Sequence, residues 1–235
     1  MSITQILIGT IVLFISTNLL GLFYSWLVLR TSLFKKYRIT EHTHRKEILW
    51  ERLPLYLLNI FLILALTTIA LLMVGHYLDT SWPSITTFIA QFIFIFIVDD
   101  AWFYFSHRWM HSNKWALKNI HSIHHRATVP FPIEYLYVHP LEWMIGMGGI
   151  VIAVGLIFIV MPLNIYVFWV MGFVRNMHEI HIHSDLDVPA LKWIPFISSS
   201  KNHDIHHAKL DGNYASAFTF WDKLLNTEYK EPIGD

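Results

Sequence analysis

The sequence predicts an all-α integral membrane protein: three transmembrane helices and a helical hairpin, topped by a cytoplasmic helical cap rich in histidine. Three observations predict it. The composition is 54% hydrophobic and only 14% charged, with a mean hydropathy of +0.44, whereas a soluble domain carries about 25% charged residues. Apolar runs long enough to cross a bilayer recur along the chain. Eight of the fifteen histidines fall in three short groups, His107/His111, His121/His124/His125 and His203/His206/His207. Steps of three and four residues put each group on one face of a helix.

Residues 3–29 form one apolar run, broken mildly by Asn18. It exceeds the roughly 20 residues a crossing needs. With no basic segment before it and no small-residue cleavage site after it, it reads as a retained span rather than a signal peptide. Residues 30–52 are polar and basic, with Lys35, Lys36, Arg38, Arg45 and Lys46. A second span follows over 53–74, with Pro54 in its first turn, where a missing N–H costs little. The loop 75–84 has an acid but no Lys or Arg. Residues 85–105 return across the membrane and run on into His107 and His111. Two further apolar runs, 141–161 and 163–174, are separated only by Met161-Pro162-Leu163-Asn164, which predicts an antiparallel hairpin. Its second arm continues towards His183. Positive loops mark the cytoplasmic side, so every histidine group is expected there. From Ser184 the composition shifts to a loop-rich tail with Pro189, Pro195 and Ser198–Ser200. The chain thus divides into membrane helices, 1–98, and a histidine-bearing unit, 99–235.

There is no cysteine, which excludes disulfides, thiolate zinc sites and iron–sulfur clusters. Lys+Arg and Asp+Glu balance at 17 each, so nothing electrostatic points to nucleic acid. Neutral imidazole suits iron, zinc, copper and nickel. A structural zinc is satisfied by four ligands, and about ten clustered histidines are enough for two metals. Asp99, Asp100, Glu134, Glu142, Asp185 and Asp204 lie near the groups, and a metal-bound ring usually donates its other N–H to such an acceptor. Asp100 stands seven residues before His107, roughly on its face, and is expected behind a ring rather than on a metal. An acid at the end of a membrane helix is functional by default. Trp102, Tyr104 and Trp109 read as an interfacial aromatic belt, and the basic 30–52 loop as a contact with anionic lipid. Tyr214 and Trp221 are expected to pack the cap over the metals.

The stretches HRWMH, IHSIHH, VHPLE, IHSDLDVP and NHDIHHAKLDGNYASAFTFWDKLLNT resemble the fatty acid hydroxylase/sterol desaturase superfamily, whose pattern is His-x3-His, His-x2-His-His, His-x2-His-His. Within it the likeness is greatest to the methylsterol monooxygenases, and it covers about 99–227. The resemblance implies a membrane enzyme with two non-heme iron ions that uses O2 and external electrons to oxidise a lipid. Its ligands would be His107, His111, His121, His124, His125, His203, His206 and His207, with His139 and His183 completing ten. His178, His181 and Asp100 stand as further ligands or as groups behind ligands. Methylsterol monooxygenases carry an acid at the position of His181.

No catalytic residue beyond the metal centre is expected, and no residue set for another cofactor. Without a fused cytochrome or flavin segment or a dinucleotide fingerprint, electrons come from separate proteins, a b-type cytochrome or a ferredoxin with its reductase. The leading expectation is oxidation of a sterol methyl group at carbon 4. Alternatives are sterol ring desaturation and hydroxylation of a fatty acyl or carotenoid chain. The membrane is a bacterial inner membrane, or the endoplasmic reticulum in a eukaryote. The rival from another class is a metal transporter, which holds its ligands near the bilayer midplane. Here the midplanes of spans one, two and four carry no histidine or acid.

Overall fold

A computed structural model describes residues 1–188 and 198–230; Pro189 and Pro195 lie outside the described residues. The chain is helical: α1 (Ile3–Arg30), α2 (Ile48–Val74), α3 (Ile85–Ser112), α4 (Lys114–Asn119), α5 (Pro140–Gly146), α6 (Gly148–Val160), α7 (Ile165–Ile182), α8 (Ser200–Lys209) and α9 (Phe220–Leu224). Two 3-10 turns, His121–Arg126 and Pro132–Leu136, lie between α4 and α5. Among the described residues, four segments are long and apolar enough to cross a membrane: Ile3–Arg30, Ile48–Tyr77, Ile85–Ser112 and Pro140–Val160. α7 completes the hairpin and reaches His183, which is its C-cap.

The ends of these helices gather into two poles. At one, the Met1 ammonium donates to Thr80 Oγ1 at 3.0 Å, and the Asp79 amide donates to Leu163 O at 2.9 Å. Asn164 adds a hydrogen bond from Nδ2 to Asp79 Oδ2, 3.1 Å. At the other, the loop after α1 pairs with the segment after α7: Ile39 N donates to Asp185 O and Asp187 N to Tyr37 O. All the grouped histidines belong to this second pole.

Three local details depart from the sequence reading. α2 begins at Ile48, so Pro54 lies inside the helix rather than in its first turn; the Trp50 carbonyl loses its amide partner there. The fourth span is two helices with a junction at Met147. Around it, Trp102 Nε1 donates to Ile145 O at 2.6 Å. A Cβ on Gly149 would stand 2.7 Å from Asp99 Cα. Only a bare backbone lets α6 approach α3 so closely. Finally, Tyr104 is not part of an aromatic belt. It is fully buried, stacked on Trp221, with its hydroxyl 2.7 Å from Thr227 Oγ1, while Trp102 and Trp109 are exposed.

The tail is also more ordered than a loop, since α8 and α9 form within it. The Pro132–Leu136 turn, which the sequence reading passes over, is wholly buried. It packs with Tyr56, Ile63, Phe131 and Ile180 into one core shared by α1, α2 and α7. Irregular backbone buried among membrane helices must find its hydrogen bonds in protein. Ser25 Oγ accepts from Ile133 N at 2.9 Å, Asn59 Nδ2 donates to Leu136 O and Val138 O, and Asn18 Oδ1 accepts from the Tyr135 hydroxyl at 2.6 Å. This explains the polar residues inside two apolar runs.

Candidate metal centre

α3 carries His107 and His111 at its last turns, the 3-10 turn carries His121, His124 and His125, and α8 carries His203, His206 and His207. They do not assemble box by box. One group joins His107, His111, His121, His125 and His206; the other joins His124, His183, His203 and His207. Within each, the ligating atoms lie within 4.8 Å of one another. The two His-His pairs produce this sorting. Neighbouring side chains on a helical turn point about 100–120° apart, so His124 and His125 send one ring to each group, and so do His206 and His207.

The Nε2 atoms converge. In the first group His121 stands 2.8 Å from His111, 2.9 Å from His125 and 3.2 Å from His107. In the second, His203 stands 3.0 Å from both His183 and His207, and His183 lies 3.4 Å from His124. Two nitrogens about 2.1 Å from one ion and at right angles to each other are about 3.0 Å apart. Such crowding of imidazole nitrogens, with no carboxylate between them, fits a shared cation at each centre.

The far sides of the rings are held. His107 Nδ1 donates to Tyr214 O, His206 Nδ1 to Gly212 O and His183 Nδ1 to Glu179 O, each at 2.8 Å. His121 Nδ1 meets Glu142 Oε1, also at 2.8 Å. A proton on Nδ1 leaves Nε2 as a bare lone pair facing its group. Burial and mutual repulsion hold His121, His124, His203 and His207 far below the usual imidazole pKa, and His206 at about 3. Every one of these rings is therefore neutral at pH 7, the form a metal needs.

Nine of the ten expected ligands thus stand in the two groups. His139 is the tenth and belongs to neither: its Nδ1 accepts from Leu141 N at 3.1 Å and caps α5. Among the side candidates, His178 lies 3.1 Å from Ser216 O, and neither it nor His181 is in a group. Among the described residues Asp100 backs no histidine; it accepts from Ala217 N and Trp221 Nε1, each at 2.8 Å, and so clamps the C-terminal segment onto α3. Asp185 accepts from the Thr40 amide and hydroxyl, both at 3.0 Å. Glu134 pairs with Arg52. Asp204 is buried on α8, and burial with the nearby Asp185 charge pushes its pKa up to about 8.

Both groups open on one cavity. His107, His121, His124, His183 and His203 line it at one end. Phe14, Ile63, Ile95, Ile150 and Met171 line it where it descends among the apolar helices. Arg175, Asn176 and Glu179 give α7 a polar stripe in the same wall. Arg175 Nε donates to Asp99 Oδ2 at 2.7 Å, Asn176 Nδ2 to Thr17 Oγ1 at 2.8 Å, and Ser216 Oγ to Glu179 Oε1 at 3.0 Å. Sequence reasoning missed this stripe. Its signal was available: Arg175 and Glu179 are one turn apart, and two turns lead from Arg175 to His183.

A family model described as fatty acid hydroxylase matches residues 92–227, more than half of the chain. Methylsterol monooxygenase 1 of Rattus norvegicus is 37% identical over 134 residues, 56% of this chain and 44% of the relative. Methylsterol monooxygenase erg25B of Aspergillus fumigatus is 36% identical over 160 residues, 66% of this chain and 53% of the relative. The very-long-chain aldehyde decarbonylase GL1-11 of Oryza sativa subsp. indica is 29% identical over 243 residues, 97% of this chain and 88% of the relative. The chain therefore spans about half the length of the methylsterol monooxygenases it matches. No solved structure matches it significantly.

Proposed function

Because this chain belongs to the fatty acid hydroxylase family, we propose that it is a membrane-bound oxidoreductase with two non-heme irons, one for each histidine group. It uses O2 and electrons from a separate protein to oxidise a C–H bond of a sterol or other membrane lipid, and the leading substrate position is a sterol methyl group at carbon 4. One observation carries the reading: two nitrogen-only groups side by side at the head of an apolar cavity that runs down among membrane helices. His107, His111, His121, His125 and His206 would hold one iron and His124, His183, His203 and His207 the other. Bound iron supplies the redox chemistry that activates O2, which no side chain here can do alone.

The protein's own residues do the rest. The rings stay neutral because burial disfavours their protonation. Glu142 and the carbonyls of Tyr214, Gly212 and Glu179 fix the ring tautomers. The apolar wall admits a lipid from the bilayer, excludes water and positions the target carbon below the metals. Orientation with the histidine pole in the cytoplasm follows the Lys/Arg bias of the loops.

A second reading has one observation behind it. The rice relative, named for very-long-chain aldehydes, matches nearly the whole chain, so a long-chain aldehyde is the second substrate to test. Metal transport is disfavoured because the grouped histidines sit at one pole and not at mid-span. The test is purified protein in lipid discs, with metal content measured and candidate sterols, acyl lipids and long-chain aldehydes supplied with reductant and 18O2. Two irons per chain and labelled oxygen in a sterol product are expected. Metal flux without O2 consumption would overturn the assignment.

A further inference from the structure

The two groups are not equally enclosed. All four rings of the second group are buried, whereas His111 alone among the nine is half-exposed. Tyr214 lies against it, ring centroids 5.1 Å apart, and is itself half-exposed. Among the described residues, this edge is where the first group is least covered. The segment that carries His111 is charged in one sense only. Residues 101–133 contain Arg108, Lys114, Lys118 and Arg126 and no acid. Lys114, Lys118 and Arg126 are exposed, and the two lysines share one face of α4 at i and i+4. Beside this face Trp115 is 62% exposed, and Trp109 on α3 is 45% exposed. The acid at this edge, Asp211, accepts from the Tyr214 hydroxyl at 3.2 Å, with Lys209 two residues before it.

Resting on the reading above, we infer that the α4 face is the docking surface for an acidic one-electron carrier protein, and that His111 and Tyr214 form the edge where its electrons arrive. The hydroxylation consumes RH, O2, two electrons and two protons and yields ROH and water. Two encounters with a reduced carrier, each leaving it oxidised by one electron, supply the electron pair. Such encounters must be brief, and a basic patch with a small aromatic centre steers them without holding the partner tightly. The basic loop 31–47 is less suited. It carries Glu41 and Glu47 among its cations, Arg45 is paired with Glu51 at 2.5 Å, and its backbone lies against residues 185–187, on the side of the enclosed group.

The test is direct binding of the full chain in discs of neutral lipid to two probes, the soluble domain of an acidic b-type cytochrome and an acidic [2Fe–2S] ferredoxin. Lys114→Glu/Lys118→Glu is compared with wild type and with Lys35→Glu/Lys36→Glu, and metal content is measured for each. At about 0.1 M salt, wild type is expected to bind at least one probe, the α4 pair to weaken it about tenfold or more, and the loop pair to leave it unchanged. Binding should fade as salt rises. Equal weakening by both pairs, no effect of the α4 pair, or no binding of either probe overturns the docking surface. An effect of the α4 pair that appears only in discs of anionic lipid also overturns it and marks the face as a lipid contact. Metal-free wild-type protein after iron loading would instead overturn the iron reading, so the two failures are distinguishable.

Discussion

Behind the His121 ring stands Glu142, whose Oε1 lies 2.8 Å from Nδ1 and holds that ring from outside the first group. Glu142→Ala should lower metal affinity about 10–100-fold, measured by competition with a chelator on the purified protein. The buried rings also set the acid limit of the fold. Their pKa values are depressed below 6.5, His206 to about 3, so between pH 6.5 and about 3 the unfolded chain binds protons that the folded chain does not. The contribution of these rings to stability is therefore lost as pH drops through that window, with metal released in the same direction, while the raised carboxyl of Asp204 acts in the opposite sense as pH rises towards about 8. Thermal unfolding and metal content followed from pH 8 to 4 check both. Eight of the nine grouped histidines were legible in the sequence as spacing. Which ring serves which group was not, because it depends on where His183 and α8 arrive from sixty and eighty residues away.

Among the elements, α3, α6 and α7 carry the tightest constraint. Gly149 lets α6 lie against the Asp99 backbone, and Arg175 on α7 neutralises the Asp99 carboxylate. Replacing Arg175 with Leu leaves a buried carboxylate without its partner and should cost about 3–5 kcal/mol, read as a loss of folded protein in detergent. Gly149→Leu should be as damaging for a different reason, since neither backbone can withdraw. Tyr135→Phe is milder: Asn18 Oδ1 loses its donor, for about 1–3 kcal/mol. The apolar runs made the long helices legible, and Met161-Pro162 marked the hairpin turn. The buried Pro132–Leu136 turn was not legible, since its partners Ser25, Asn18 and Asn59 read as blemishes in spans until the turn they satisfy is in place. The α5–α6 junction and the burial of Tyr104 were hidden similarly; both follow from contacts with distant segments.

For the whole molecule, the architecture joins two solvents. Apolar helices line a cavity, and one pole gathers nine imidazoles into two adjoining groups at its head. The C-terminal segment closes the pole from above, held by Asp100 to Ala217 and Trp221 and by Asp222 to the Tyr214 and Ala215 amides. Tyr214, expected to cover the metals, packs on His107, His111 and His206. The most direct measurement is X-ray absorption at the iron edge on iron-loaded protein, paired with metal analysis. Two irons per chain are expected, ligated mainly by imidazole nitrogen at about 2.1 Å, with the signal of one iron lost in His203→Ala/His207→Ala and the other retained. A single metal, or loss of both sites in that variant with the fold intact, would contradict the assignment of the two groups to two separate ions.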